Sequence, residues 1–151
     1  MSKANCELLT NILDDKWRDK PRADFKINLT ISELSEYIGE EAAWSLSKLM
    51  QDDFDKIILR RCTPEGLCIR LHLDITTRVM QVALVNNDDN YTGGRLMFLT
   101  GDGQLHVPKR NAGSYTIHNN CVVHGVSEHK EGLRYGMFFI KERDGVATEN
   151  D

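Results

Sequence analysis

Between residues 55 and 141 the polarity of this chain alternates at every second residue, run after run. KIILRR, LCIRLHLD, RVMQVALV, RLMFLT, QLHVPK, SYTIH, CVVHGV and LRYGMFFIK are eight such runs. TPEG, NNDDNYTGG, GDG, RNAG, NN and EHKEG interrupt them. A period of two is the signature of a strand, and Gly, Asn and Asp are the residues that reverse a chain. Short strands at roughly ten-residue spacing, with no room for crossover helices, predict an antiparallel sandwich or barrel, the double-sheet jelly roll included.

The first third has another period. Leu8, Leu9, Ile12, Leu13 and Trp17 form one apolar stripe at helical spacing. DFKINL (24–29) alternates as a short edge strand would. Thr30-Ile31-Ser32-Glu33 has the form of a capping box, opening a helix that should break at Gly39. A further helix is predicted over about 41–51, with Trp44 and Leu49 among its apolar residues. LTISELSEYIGE resembles half of a helix-turn-helix, but no basic recognition helix follows, and a packing helix is the better reading. The expected organisation is a single domain over 1–151: helical support over 1–52, a β core over 55–141, and a frayed tail over 142–151, which contains VATEND.

With 19 basic and 23 acidic residues the net charge is −4, which disfavours a broad nucleic-acid-binding face. No apolar run approaches a membrane span, and MSKANCELLT lacks the apolar core of a secretory signal. Cys6, Cys62, Cys68 and Cys121 contain no C-x-x-C pair, so reduced thiols in the cytoplasm are expected.

CIRLHLDITTR (68–78) carries the first chemical signal. Ile69, Leu71 and Leu73 alternate with Cys68, Arg70, His72 and Asp74. Either the polar face meets water, or it lines a cavity in which His72 and Asp74, pointing the same way, grip one metal ion. CVVHGV adds His124 several strands later. Two histidines and a carboxylate make the facial triad of non-haem Fe(II) oxygenases, which leaves coordination positions open for an anionic chelating cosubstrate and oxygen. Cys121 and His124 also have C-x-x-H zinc spacing, but no second pair matches it. Arg134 shares a strand face with Phe138 and Ile140, where it needs an anionic partner unless its head snorkels to water. A planar fork on the far carboxylate of a dicarboxylate would meet that need.

Lys56 to Lys141 resembles the 2-oxoglutarate- and Fe(II)-dependent oxygenases of the prolyl 4-hydroxylase-like group. The resemblance is carried, in order, by LRRCTPEG, HLD at 72–74, YTGGRLMF at 91–98, the P-x-x-x-A-G turn at 108–113, HNNCVVHGV at 118–126 and GLRYGMF at 132–138. It implies a double-stranded β-helix (jelly-roll) core packed against two or three helices, and iron held by His72, Asp74 and His124. It also implies 2-oxoglutarate anchored by Arg134, with O2 as co-reactant and ascorbate as an accessory reductant. The implied activity is hydroxylation of a substrate C–H bond, with a prolyl residue of a protein or peptide as the best single expectation and a small molecule as the other. The alternative is a catalytically silent metal-binding jelly roll that holds a ligand or partner.

This chain departs from the pattern at two points. Cys62 stands where many members have a tyrosine that contacts the cosubstrate. Gly136 stands where many have a hydroxyl residue two after the basic one, so a further hydrogen bond to the distal carboxylate must come from elsewhere. Gln81, expected to look inward with Ala83 and Val85, is the candidate. His106 and His118 are expected to be structural or surface histidines, and His129, in a charged turn, to be solvated. Gly93 and Gly94 are expected to serve backbone geometry.

Overall fold

A computed structural model describes residues 1–65 and 68–143; the end of the expected TPEG turn, the start of the LCIRLHLD run and the VATEND tail lie outside the described residues. Ser2 caps the first helix, α1 (Lys3–Asp19), by accepting from the Asn5 amide, and Cys6, Leu9 and Leu13 form its buried stripe. Strand β1 (Asp24–Leu29) follows. The capping box forms as expected: Thr30 accepts from the Glu33 amide at 3.1 Å and Glu33 accepts from the Thr30 amide at 2.7 Å, opening α2 (Ile31–Ile38). Gly39, at φ 87°, ends α2 and leads into α3 (Glu40–Leu49). Leu34, Ile38, Ala43 and Leu46 are buried, so this pair is a packing element, whereas Trp44 stands in solvent.

Ten strands follow among the described residues: β2 (Lys56–Cys62), β3 (Ile69–His72), β4 (Arg78–Ala83), β5 (Tyr91–Gly93), β6 (Leu96–Leu99), β7 (Leu105–His106), β8 (Tyr115–Asn119), β9 (His124–Val126), β10 (His129–Gly132) and β11 (Arg134–Lys141). The eight expected runs are all present. The other two, β5 and β10, pair with each other inside stretches that read as turns. Their sequences are short and polar, with no alternation to betray them.

The major sheet has the order β1-β2-β11-β4-β8, with β1 at its edge as expected, and the smaller one β3-β9-β6-β7. All pairings within them are antiparallel, which is the jelly-roll arrangement. The helices cover the outer face of the major sheet. Ile57 and Leu59 of β2, Met80 and Val82 of β4, and Met137 and Phe139 of β11 join Leu9, Leu13, Leu34 and Met50 in one core. Alternation then turns Arg60, Val79, Gln81, Arg134 and Phe138 to the inner face, toward the smaller sheet.

One premise of the sequence reading is overturned. A run that alternates as a half-buried strand does would bury Leu71 and Leu73, yet they are 45% and 54% exposed, and Leu73 lies past the end of β3. Leu71 lies on the outer face of the smaller sheet and Leu73 just beyond it, and none of the described helices covers that face. A register shift between Ile69 and His72 brings Ile69 round to the same cavity as His72. Gly125 makes room for that irregularity: a Cβ there would lie 2.7 Å from the Ile69 carbonyl oxygen.

Candidate metal centre

His72 ends β3 and His124 opens β9, and the two are directly paired across the smaller sheet. Asp74 lies just past the end of β3. One ligand atom from each of the three lies within 4.8 Å of the others, the single such trio among the described residues. Each imidazole is oriented by its own backbone. His72 Nδ1–H donates to the Arg70 carbonyl at 2.8 Å, and His124 Nδ1–H to the Val122 carbonyl at 3.1 Å. A carbonyl can only accept, so these bonds place the proton on Nδ1 and leave the Nε2 lone pair free. Both Nε2 atoms face the same carboxylate, at 3.2 Å from Asp74 Oδ1 for His72 and 3.5 Å from Oδ2 for His124. Burial pushes the pKa of His124 down, favouring the neutral ligand form. The donor set therefore fits a divalent transition metal with N and O preference. Cys121 is exposed and takes no part in this trio, so the C-x-x-H zinc reading has no support.

His118 is the residue that sequence reasoning underrated. It is structural in being buried, but its Nε2–H donates to Asp74 Oδ2 at 3.0 Å, and its ring lies 4.2 Å from that of His124. That hydrogen bond is the main reason the Asp74 pKa falls below the usual carboxylate range, with the surrounding imidazoles adding to it against the effect of burial. His118 reaches the centre because β8 pairs with β4, Val79 opposite His118, a long-range pairing that no local pattern reports. His106, by contrast, is exposed, as expected.

His72, Asp74, His124, Gln81 and Arg134 all line one cavity of about 210 Å³, whose wall Val79 and Phe138 make partly apolar. A larger depression of about 710 Å³ runs along α1 and α3, far from these groups. Arg134 makes no hydrogen bond or ion pair with any described residue. Arg60 also lines the cavity, but Asp24 engages it through two bonds, at 2.6 and 2.9 Å. Gln81 is buried and inward-facing, as expected; Val85, past the end of β4, packs instead with the helical core. Cys62 sits opposite Arg134 in the register, with burial pushing its thiol pKa up. Arg70, which reads as another cation of the metal strand, points to solvent.

His129 corrects a further expectation. It is 4% exposed, not solvated: its ring meets Tyr91 edge-on at 5.8 Å, and its Nε2–H donates to the Glu131 carbonyl. Gly93 and Gly94 have positive φ, as their expected role requires. At Gly93 a Cβ would lie 2.0 Å from the Glu128 carbonyl oxygen, whereas at Gly94 it would meet Arg134 and His129 only at ordinary contact distance, and the constraint is the φ of 56°.

No family model and no curated protein sequence matches this chain. Solved structures match it as folds: the architecture is that of the 2-oxoglutarate–Fe(II) oxygenases. A prolyl-4-hydroxylase of Pseudomonas putida superposes with TM-score 0.67 at 16% identity, over 95% of this chain and 89% of that one. A prolyl hydroxylase of Trichoplax adhaerens, solved with a hypoxia-inducible-factor oxygen-degradation-domain peptide, gives 0.70 at 12%, over 92% and 79%. HygX of Streptomyces hygroscopicus, solved with nickel and 2-oxoglutarate, gives 0.72 at 13%, over 99% and 82%.

Proposed function

We propose that this chain is an Fe(II)- and 2-oxoglutarate-dependent dioxygenase that hydroxylates a C–H bond, with a prolyl residue of a peptide or protein as the preferred target. The observation that carries the reading is the shared cavity of His72, Asp74 and His124 with Arg134, a cation that has no partner among the described residues. His72, Asp74 and His124 would hold a metal, and the free cation suits an acid that shares the cavity with it. Bound there, iron would supply the oxygen chemistry that converts 2-oxoglutarate and O2 to succinate and carbon dioxide while a substrate gains a hydroxyl group.

The chain's own part is orientation and shelter. The Arg70 and Val122 carbonyls hold two imidazoles with Nε2 inward, and His118 fixes Asp74. Arg134 and Gln81 receive the polar end of the cosubstrate, while Phe138 and Val79 exclude water from the space between. A peptide target is supported by the Trichoplax fold neighbour, solved with a peptide. Four free thiols suit a reducing compartment such as the cytoplasm.

Anaerobic titration with Fe(II) and 2-oxoglutarate tests the reading. A visible charge-transfer band, followed in air by succinate formation, is the expected result. Absence of the band would overturn the site; a band without succinate under any condition would support the silent metal-binding module instead.

A further inference from the structure

Behind the cavity lies a small recess of about 10 Å³, which shares Gln81, Arg134 and Phe138 with it and adds Arg110 and Gly136. Arg110 is 7% exposed. Its guanidinium donates to two neutral acceptors, the Thr116 hydroxyl at 2.8 Å and the Gln81 carbonyl at 3.2 Å, and forms no ion pair with any described residue. A buried guanidinium normally has a carboxylate or another anion beside it, because loss of hydration is otherwise uncompensated. Here the charged group that acts on it, Arg134, has the wrong sign. Burial and the repulsion of Arg134 together bring the Arg110 pKa down to about 10. Two cations thus face one recess, and neither has a counter-charge among the described residues. The other titratable neighbours are Tyr91, which lines the recess, Cys62, opposite Arg134 in the register, and His129, which is held toward its neutral form chiefly by burial, with Arg134 adding to that effect.

The same recess explains Gly136. No hydroxyl projects from that position, and the Phe138 ring lies over it: a Cβ there would be 3.2 Å from the ring edge. Beside Gln81, a charged donor for the second oxygen of a carboxylate held by Arg134 is available across the recess, where Arg110 stands with guanidinium N–H groups to spare.

We propose that Arg110 is a second anchor for the distal carboxylate of the cosubstrate, so that this chain grips its dicarboxylate between two arginines, Arg134 from β11 and Arg110 from the loop before β8. The inference rests on the reading of the cavity as a 2-oxoglutarate site. It assigns the carboxylate one oxygen to each guanidinium and makes the neutral bonds to Thr116 and Gln81 the brackets that aim Arg110.

Calorimetric titration under anaerobic conditions, with Mn(II) in place of iron, separates the two. The ligands are 2-oxoglutarate and 2-oxopentanoate, which has the same chain length but no distal carboxylate. The parent should prefer 2-oxoglutarate strongly. Arg110→Gln should weaken 2-oxoglutarate roughly ten- to a hundredfold, the worth of a charged hydrogen bond to a desolvated carboxylate, and leave 2-oxopentanoate within about twofold. Arg110→Lys should recover part of the loss. Equal weakening of both ligands, or of neither, overturns the proposal. A parent that binds neither defeats the underlying site reading instead. A measurement on the unmodified chain guards against variants that do not fold: the arginine Nε–H resonances of Arg110 and Arg134 should both shift with 2-oxoglutarate and not with 2-oxopentanoate. A shift confined to Arg134 would also overturn it.

Discussion

Asp74 accepts a hydrogen bond from one imidazole while two others aim free lone pairs at it, and that division of labour gives each residue a separate expected phenotype. Replacing His124 or Asp74 by alanine should abolish metal binding and turnover yet leave the far-ultraviolet circular dichroism of the strands intact; His106→Ala, on an exposed site, is the matching control. Unchanged metal affinity in His124→Ala would remove it from the ligand set. Arg134→Ala should raise the dissociation constant for 2-oxoglutarate roughly ten- to a hundredfold with metal affinity little altered. Arg134→Lys should fall between, since lysine keeps the charge and loses the fork. The trio of His72, Asp74 and His124 was legible in the sequence because the H-x-D spacing and the later histidine stand out as a motif, and the structure brings the three together. Arg110, His118 and His129 were not, because each is polar, and its burial is decided by distant partners: β4 for His118, Tyr91 for His129, and Thr116 with the Gln81 backbone for Arg110.

At the scale of elements, the smaller sheet aims the candidate metal ligands through one irregularity. The register shift in β3 turns Ile69 and His72 to the same side, and β9 tolerates it only because Gly125 has no side chain to meet the displaced backbone. Gly125→Ala would force a Cβ against the Ile69 carbonyl oxygen, so β3 must move and carry His72 with it. Metal affinity should fall several-fold more than thermal stability would lead one to expect from a surface alanine; an unaltered metal titration would show that β3 yields without disturbing its ligand. The same irregularity marks where the sequence misled. A strict period of two assigned Leu71 and Leu73 to a buried face, but only the major sheet has helices to cover its outer side. Strong alternation located the eight longer strands; the short polar β5 and β10 have none, and their pairing is imposed by the fold around Gly93 and Gly132.

At the scale of the molecule, stability should depend on pH in two stages. His124 and His129 have pKa values pushed below the ordinary 6.5 by burial, so the unfolded chain takes up protons first. Stability of the metal-free protein should therefore begin to fall as pH drops through about 6.5. Carboxylates dominate further down. Asp74 is held below 3.8 chiefly by the His118 hydrogen bond, and Asp55 by accepting from the Glu142 amide; burial raises Asp24, but Arg60 outweighs it. Their contribution is complete above 3.8 and is lost as pH falls through their depressed values, which should steepen the decline. Thermal midpoints of the metal-free chain measured from pH 8 to pH 3 check both limbs, and a curve flat between pH 7 and 5 would contradict the histidine limb. Strand β11 ties such global behaviour to chemistry. Tyr135, Met137 and Phe139 sit in the helical core, while Arg134, Gly136 and Phe138 line the cavity and its recess on the alternate positions. Tyr135 also donates to Asp14 of α1, which pairs with Arg61 at 2.8 Å. A slip of one residue would exchange the two faces completely. Affinity for the dicarboxylate is thus a gauge of how well the helices are seated, and selection for catalysis alone would preserve residues on a face that no substrate ever touches.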